Sequence, residues 1–320
     1  PMSLERTKDL ILALRPVAAW PEMVELVQRV QPRGLFGVWD HPAAACEAVG
    51  GSPEAAARGS AAILCSLISI HLVDDMLDDD PDGDYRRLGP GGAANLALAF
   101  QAAGHQVLDG AALAPPARSA LQAILSGMAL ATAYGQSLDA HALRDEDEYW
   151  HVVGTKTPPL FTAAFAIGSL LGGAPPDAAD RIGRLGRLLG LCVQVSDDLL
   201  DALRTPAAPD WNRPPNNLAL LYAMTAEHPE QAAFLDFSAR AAEPAALAAA
   251  QEILVRCGAL SYCAFKMLEI LGEARALMAR LALPSPAPVA RLFDAHTEPL
   301  HRLFAAAGAP DVAGLSLEPS

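Results

Sequence analysis

The chain runs to 320 residues, 52% hydrophobic and only 19% charged, with a formal net charge of -14. That composition can fill one large core and excludes a disordered or fibrous chain. The acidic balance, with no Lys/Arg cluster interleaved with aromatics, excludes a nucleic-acid-binding surface and makes a cation the natural partner.

Charged residues fall below the roughly 25% of an average protein, and the strong helix formers Ala and Leu take up the difference. An all-α fold follows, with helices buried over much of their surface. The apolar set Ile63, Leu64, Leu67, Ile70 and Val73 runs at helical spacing into Asp74 and Asp75, and strand-like alternation is scarce. Breaks fall at Gly50-Gly51-Ser52-Pro53, Pro81 to Gly92, Pro115-Pro116, Gly172 to Pro176, Pro206 to Pro215 and Pro284 to Pro288. They divide the chain into about eight to ten helices with short connections. No linker or internal repeat interrupts the pattern, so a single domain over residues 1–305 is expected, with a flexible tail over 306–320.

The most apolar run, Leu160 to Ala174, is shorter than the ~20 residues of a membrane helix, so no transmembrane segment is expected. The N-terminus lacks a signal-peptide layout, and Pro1 ahead of Met2 reads as a cloning remnant. Cys46, Cys65, Cys192, Cys257 and Cys263 are odd in number and lack CxxC spacing. They read as buried free thiols in a reducing cytoplasm.

Asp74-Asp75-Met76-Leu77-Asp78, extended by Asp79 and Asp80, follows an apolar helix directly. Spacing of i, i+1 and i+4 puts Asp74, Asp75 and Asp78 on one side of the helix end, where the macrodipole is also negative. Such crowding calls for a cation, although an acidic, solvated loop entry is the plain alternative for one cluster alone. Asp197-Asp198-Leu199-Leu200-Asp201 repeats the spacing after the apolar stretch Leu185 to Val195, with nothing basic within a turn. Two such clusters in one bundle suggest facing carboxylates. Mg²⁺ prefers oxygen and is commonly held by one or two carboxylates together with substrate phosphates, so a diphosphate between the clusters fits. His and Cys do not gather at soft-metal spacing.

These clusters, with Arg86-Arg87, Gly135-Gln136 and Asp139, Tyr149 followed by Lys156-Thr157, and Gln194 ahead of Asp197, resemble the trans-isoprenyl diphosphate synthase, or polyprenyl synthetase, family in order and spacing from about Ala44 to Leu221. The resemblance implies an isoprenoid synthase bundle around a central cavity, three Mg²⁺ ions, an allylic isoprenyl diphosphate substrate and a homodimer. It implies that Asp74, Asp75 and Asp78 bind two of the ions and Asp197 the third, with Asp198 and Asp201 in support. Lys156 and Arg86 would hold the allylic diphosphate, and Thr157 and Gln194 would lie near the leaving oxygen and the developing cation. A surface lysine and a polar core glutamine are the plain alternatives for Lys156 and Gln194.

Departures from the family pattern fall on the half of the site that grips isopentenyl diphosphate. The usual basic motif is matched only by Arg33-Gly34-Leu35-Phe36-Gly37-Val38-Trp39-Asp40-His41-Pro42, and the expected histidine falls near Leu67, leaving His71 as a substitute or a packed side chain. Arg86-Arg87-Leu88-Gly89-Pro90 is an altered turn, so Arg87 is expected to point differently, and Arg213 stands where a lysine is usual. A prenyltransferase with a non-standard acceptor is the first reading. A terpene synthase on the same frame is the second and a non-catalytic partner subunit the third.

In this family the residues four and five positions before the first aspartate limit chain length. Here they are Ile70 and Ser69 with Ser66 and Cys65 a turn deeper, so a fifteen- or twenty-carbon substrate is expected, against simple small-residue packing. Trp20, Trp39, Trp150 and Trp211 read as anchors near helix ends, with Trp39 and Trp211 as candidate walls of an altered acceptor site. Pro158-Pro159 should interrupt the helix that carries Lys156.

Overall fold

The structure, a computed structural model, describes residues 3–31, 35–139, 141, 143–212 and 216–306. Among the described residues every regular element is helical, in sixteen α-helices and three 3-10 segments. The expected number is too low because prolines start short extra helices, as in Arg15–Ala18, Pro21–Arg29 and His41–Ala48. Proline suits the first turn, where its missing N–H would have had no intrahelical partner. The five cysteines are free, all but Cys257 buried.

Two compact units make up the chain. One comprises Pro1–Ala131, Pro159–Arg187 and Met278–Val289; the other comprises Thr132–Pro158, Leu188–Leu277 and Ala290–Ser320.

In the first unit, the helix Ala57–Leu77 is buried on nearly every side as far as Leu72, which is how a helix apolar all round belongs in a core. It pairs along its length with Pro90–Asp109 and also meets Leu4–Leu12, Leu35–Asp40 and His41–Ala48. Side chains fasten the main pair: the Ser69 hydroxyl donates to the Ala97 carbonyl at 2.9 Å. Arg58 Nη1 donates at 3.0 Å to the Val107 carbonyl, one of the C-terminal acceptors that the helix itself cannot satisfy. With its 3-10 lead-in this stretch, Pro53–Leu77, is long and apolar enough to cross a membrane by length and composition, yet 78% of its most apolar window is buried inside the protein. It exceeds Leu160 to Ala174 in length because scattered Ser, Cys and His residues hide its apolar character from a search for unbroken runs.

In the second unit, Gln231–Ser238 and Pro244–Arg256 pair with each other and with Leu218–Thr225, which also meets Glu146–Lys156. Phe234 is wholly buried, its ring 6.1 Å from that of Trp211. The helix Pro176–Leu203 enters this unit at Leu188, and its core side chains include Leu189, Cys192, Val195 and Leu199. It continues to Leu203, so Asp197, Asp198 and Asp201 lie inside its last turns rather than beyond them.

Close backbone approach tests the first unit. A Cβ at Gly168 would fall 2.1 Å from the Pro42 carbonyl oxygen, whereas one at Gly91 would meet nothing within 4 Å. Gly168→Ala should therefore cost about 1–3 kcal/mol of stability, read as a lower urea midpoint, and Gly91→Ala should leave the midpoint unchanged or higher.

Candidate functional site

The first aspartate cluster closes the Ala57–Leu77 helix. Asp74 and Asp75 sit half-buried in its last turn and Asp78 is its C-cap. Burial first, then the Asp80 and Asp74 carboxylates, push Asp75 up to about 6, with a backbone N–H at Asp84 as a partial offset. Beyond the cap, Asp79 turns the chain with a φ of 54°. Its carboxylate accepts from Tyr85 Oη at 2.8 Å and from Arg86 Nη2 at 2.7 Å. Arg86 also lies over the Tyr85 ring at 4.8 Å.

Arg87 reaches Glu25 at 3.1 Å and Asp84 at 3.2 Å. Arg29, at the end of Pro21–Arg29, pairs with the same two acids. Arg29 and Asp84 line a cleft of about 280 Å³ with Leu26, Leu72, His71 and Asp75. Burial, opposed by Asp74, lowers the pKa of His71. Arg29 is thus the basic residue brought beside the first cluster, four residues ahead of the stretch named from the sequence. Arg33 and Gly34 of that stretch, and Arg213, lie outside the described residues. Trp39 and His41 are core residues, the latter with its ring 5.4 Å from Phe161.

In the second unit, hydrogen bonds and the peptide links Lys156–Thr157 and Asn216–Asn217 together join Lys156, Thr157, Gln194 and Asp198 of the second cluster into a closed circuit. Lys156 Nζ donates to Asp139 Oδ2 at 2.5 Å, and Asn216 Nδ2 donates to Asp139 Oδ1 at 2.9 Å. The neighbouring Asn217 donates to the Asp198 carbonyl at 2.7 Å and to Asp210 Oδ2 at 2.9 Å. Gln194 Nε2 donates to Asp198 Oδ1 at 2.8 Å, and Thr157 Oγ1 donates to Gln194 Oε1 at 2.7 Å, returning the circuit to Lys156. Two local features build it. Gly135 lets Pro115–Asp139 approach Glu146–Lys156 so closely that a Cβ would fall 2.5 Å from Lys156 N. Thr157 caps the Lys156 helix as Pro158 starts the next, the interruption that Pro158-Pro159 was expected to cause.

Asp198 stands apart from its neighbours. It is buried, and its Oδ2 accepts from Tyr149 Oη and from the Leu218 N–H, each at 2.7 Å. Leu218 opens the helix that Asn217 caps, so the N-terminal end of a helix dipole also favours this carboxylate. Burial nonetheless pushes Asp198 up to about 7 against those donors. Burial and the carboxylates of Asp198, Asp201 and Asp210 push Asp197 to about 7 as well. Asp201 is raised by burial and Asp210, with Arg204 as a partial offset. Tyr149, Asp139, Asn216 and Asn217 were not assigned roles from the sequence. Only the ordered motif around Asp139 and Tyr149 hinted at two of them.

The donor set consists of carboxylate oxygens, the chemistry that Mg²⁺ selects, and the mutual repulsion that raises Asp197 is what a cation would relieve. Among the described residues no three His, Cys, Asp or Glu side chains converge into a ready metal cage. That fits an ion held by one or two carboxylates and completed by phosphate oxygens.

Residues 44–254 match the polyprenyl synthetase family. A short chain isoprenyl diphosphate synthase of Methanothermobacter thermautotrophicus is 33% identical over 174 residues, 49% of this chain and 51% of that protein. The chain thus spans about half the length of the curated relatives it matches. Among solved structures, a geranylgeranyl pyrophosphate synthetase from Pyrococcus horikoshii is similar with a TM-score of 0.75 at 18% identity, covering 96% of this chain and 95% of that one. A decaprenyl diphosphate synthase from Rhodobacter capsulatus is similar with a TM-score of 0.76 at 20% identity, covering 93% and 97%. At these identities the likeness establishes the all-α fold.

Asp197 has a folded pKa above the ordinary aspartate value of 3.8. The stability it confers is therefore fully present below that value and is lost as pH rises through about 7. In chelator, the thermal midpoint should fall between about pH 4 and pH 7, and Asp197→Asn should flatten the fall. An equally steep fall in the variant would assign the pH dependence to other groups.

Proposed function

The chain belongs to the polyprenyl synthetase family, and on that premise we propose that it is a prenyltransferase of the isoprenyl diphosphate synthase type. It ionises an allylic isoprenyl diphosphate of fifteen or twenty carbons with the help of Mg²⁺ and passes the prenyl group to an acceptor other than plain isopentenyl diphosphate. The observation that supports this reading best is the circuit that ties Lys156, Thr157 and Gln194 to the second aspartate cluster.

Bound Mg²⁺ supplies positive charge to the diphosphate as its bond to carbon breaks. Asp74, Asp75 and Asp78 would hold it on one unit and Asp197 with Asp201 on the other, three ions in all by family likeness. Lys156 has three N–H donors, so it can keep Asp139 and still donate to a phosphate oxygen. Arg86 and Arg87 exchange part of their carboxylate contacts for phosphate. Thr157, held by Gln194, orients the leaving oxygen, and the electron pair of the C–O bond stays with the diphosphate. Ser69 and Ile70 set the depth available to the prenyl chain.

The acceptor assignment draws on the cleft beside the first cluster. Arg29, which lines it, is met by Glu25 and Asp84, leaving little positive charge there for a second diphosphate. The same neutralised cleft favours, as a second reading, a terpene synthase in which the cation is quenched internally or by water. A homodimer accords with Leu98 and Leu130, which are left 71% and 76% exposed.

Incubation with geranyl, farnesyl and geranylgeranyl diphosphates, each with and without isopentenyl diphosphate, tests these readings. Diphosphate release should require Mg²⁺, stop in chelator, and fall at least about 100-fold in Asp74→Asn and in Asp197→Asn. Hydrocarbon or alcohol from an allylic substrate alone would replace transfer by the terpene synthase reading, and inertness toward all three would leave a non-catalytic subunit. Ser69→Phe should shorten the preferred substrate, and an unchanged preference would remove Ser69 from the lining.

A further inference from the structure

Tyr149 takes no part in the chemistry above, yet it is among the largest wholly buried side chains and its hydroxyl ends on Asp198 Oδ2 at 2.7 Å. A buried phenol without an acceptor and a buried carboxylate without donors would each be costly, and here each satisfies the other. Asp198 is only 3% exposed, and its two oxygens are directed to three protein donors, Tyr149, Leu218 N–H and Gln194. It is therefore an anchor of the helix Pro176–Leu203 rather than a group offered to solvent. Asp197 and Asp201, one residue before and three after it, are the half-buried carboxylates of the cluster. Whatever fixes the Asp198 side chain fixes the rotation of these last turns about the helix axis, and with it the directions of Asp197 and Asp201.

Tyr149 also stands seven residues before Lys156, two turns back on nearly the same face of Glu146–Lys156. One end of that helix is thus tied to Asp198 and the other, through Lys156, to Asp139. Asn217 donates to the Asp198 backbone carbonyl and is itself wholly buried.

Building on the function proposed above, we propose that Tyr149 is a positioning residue that, through Asp198, sets the direction in which Asp197 and Asp201 present their carboxylates to a magnesium diphosphate. The hydroxyl of Tyr149 never meets substrate; it keeps the carboxylates and Lys156 in register. Outer-shell partners of this kind typically change metal affinity by about 10- to 100-fold when removed.

Calorimetric titration of the full chain with inorganic pyrophosphate in excess Mg²⁺ provides the test. Tyr149→Phe should weaken binding by about tenfold or more. Tyr262→Phe removes another half-buried phenol donor in the same unit, one that bonds Glu146 instead, and should stay within about twofold of wild type. Asn217→Ala, which removes the hydrogen bond to the Asp198 carbonyl, should match Tyr149→Phe in direction and carries the test if that variant folds poorly. Wild-type affinity in whichever of the two folds, or an equal loss in Tyr262→Phe, would overturn the positioning role. A wild-type chain that does not bind magnesium pyrophosphate would instead sink the function on which the proposal rests.

Discussion

Carboxylates that are crowded and shielded from water resist ionisation, and a chain that gathers them needs a compensating charge from elsewhere. In the second unit that constraint is visible in Asp197, raised by burial and by three neighbouring carboxylates, while Arg204 offsets part of the rise at Asp201. In the first unit the same crowding falls on Asp75 at the negative end of a helix. The surrounding architecture can be understood as what holds these side chains in place without neutralising them. Arg86 and Arg87 in the first unit are spread over Asp79, Glu25 and Asp84, and Lys156 in the second is held by Asp139.

A division of labour within each cluster follows from burial. The second cluster reads in sequence as three equivalent aspartates at helical spacing, yet the middle one is spent on protein donors and the outer two are left at the surface of the helix. Three donors and a helix N-terminus offset part of the burial that raises Asp198. That arrangement leaves Asp197 and Asp201 as the half-buried carboxylates of the cluster, the two that the proposed cation would use.

How much of this was legible in the sequence depends on the range of the interaction. The helices, the proline breaks and both aspartate clusters are local patterns, and they stand in the structure where their spacing put them, except that prolines opened more helices than expected and the second cluster lies within its helix. Gly135 and Asp139 were legible as parts of an ordered motif, and the structure supplies their reasons: a close backbone approach to Lys156 and a carboxylate for its ammonium. The role of Asp198 was not legible, because Tyr149 is 49 residues away in the chain and Asn217 is 19. Arg29 was missed for a related reason: only the fold brings it to Asp84, 55 residues later. Trp39 and Trp211 looked like walls of an open site, but both are buried side chains.

The central claim is that these carboxylates bind cations together with a diphosphate rather than alone. Electron paramagnetic resonance of Mn²⁺, a stand-in for Mg²⁺ that also favours oxygen ligands, measures this directly through the signal of free ion. Addition of inorganic pyrophosphate should convert weak binding into tight binding of several ions per chain, and loss of either cluster should abolish part of that gain. Mn²⁺ binding that is indifferent to pyrophosphate, or a gain that survives removal of both clusters, would contradict the account.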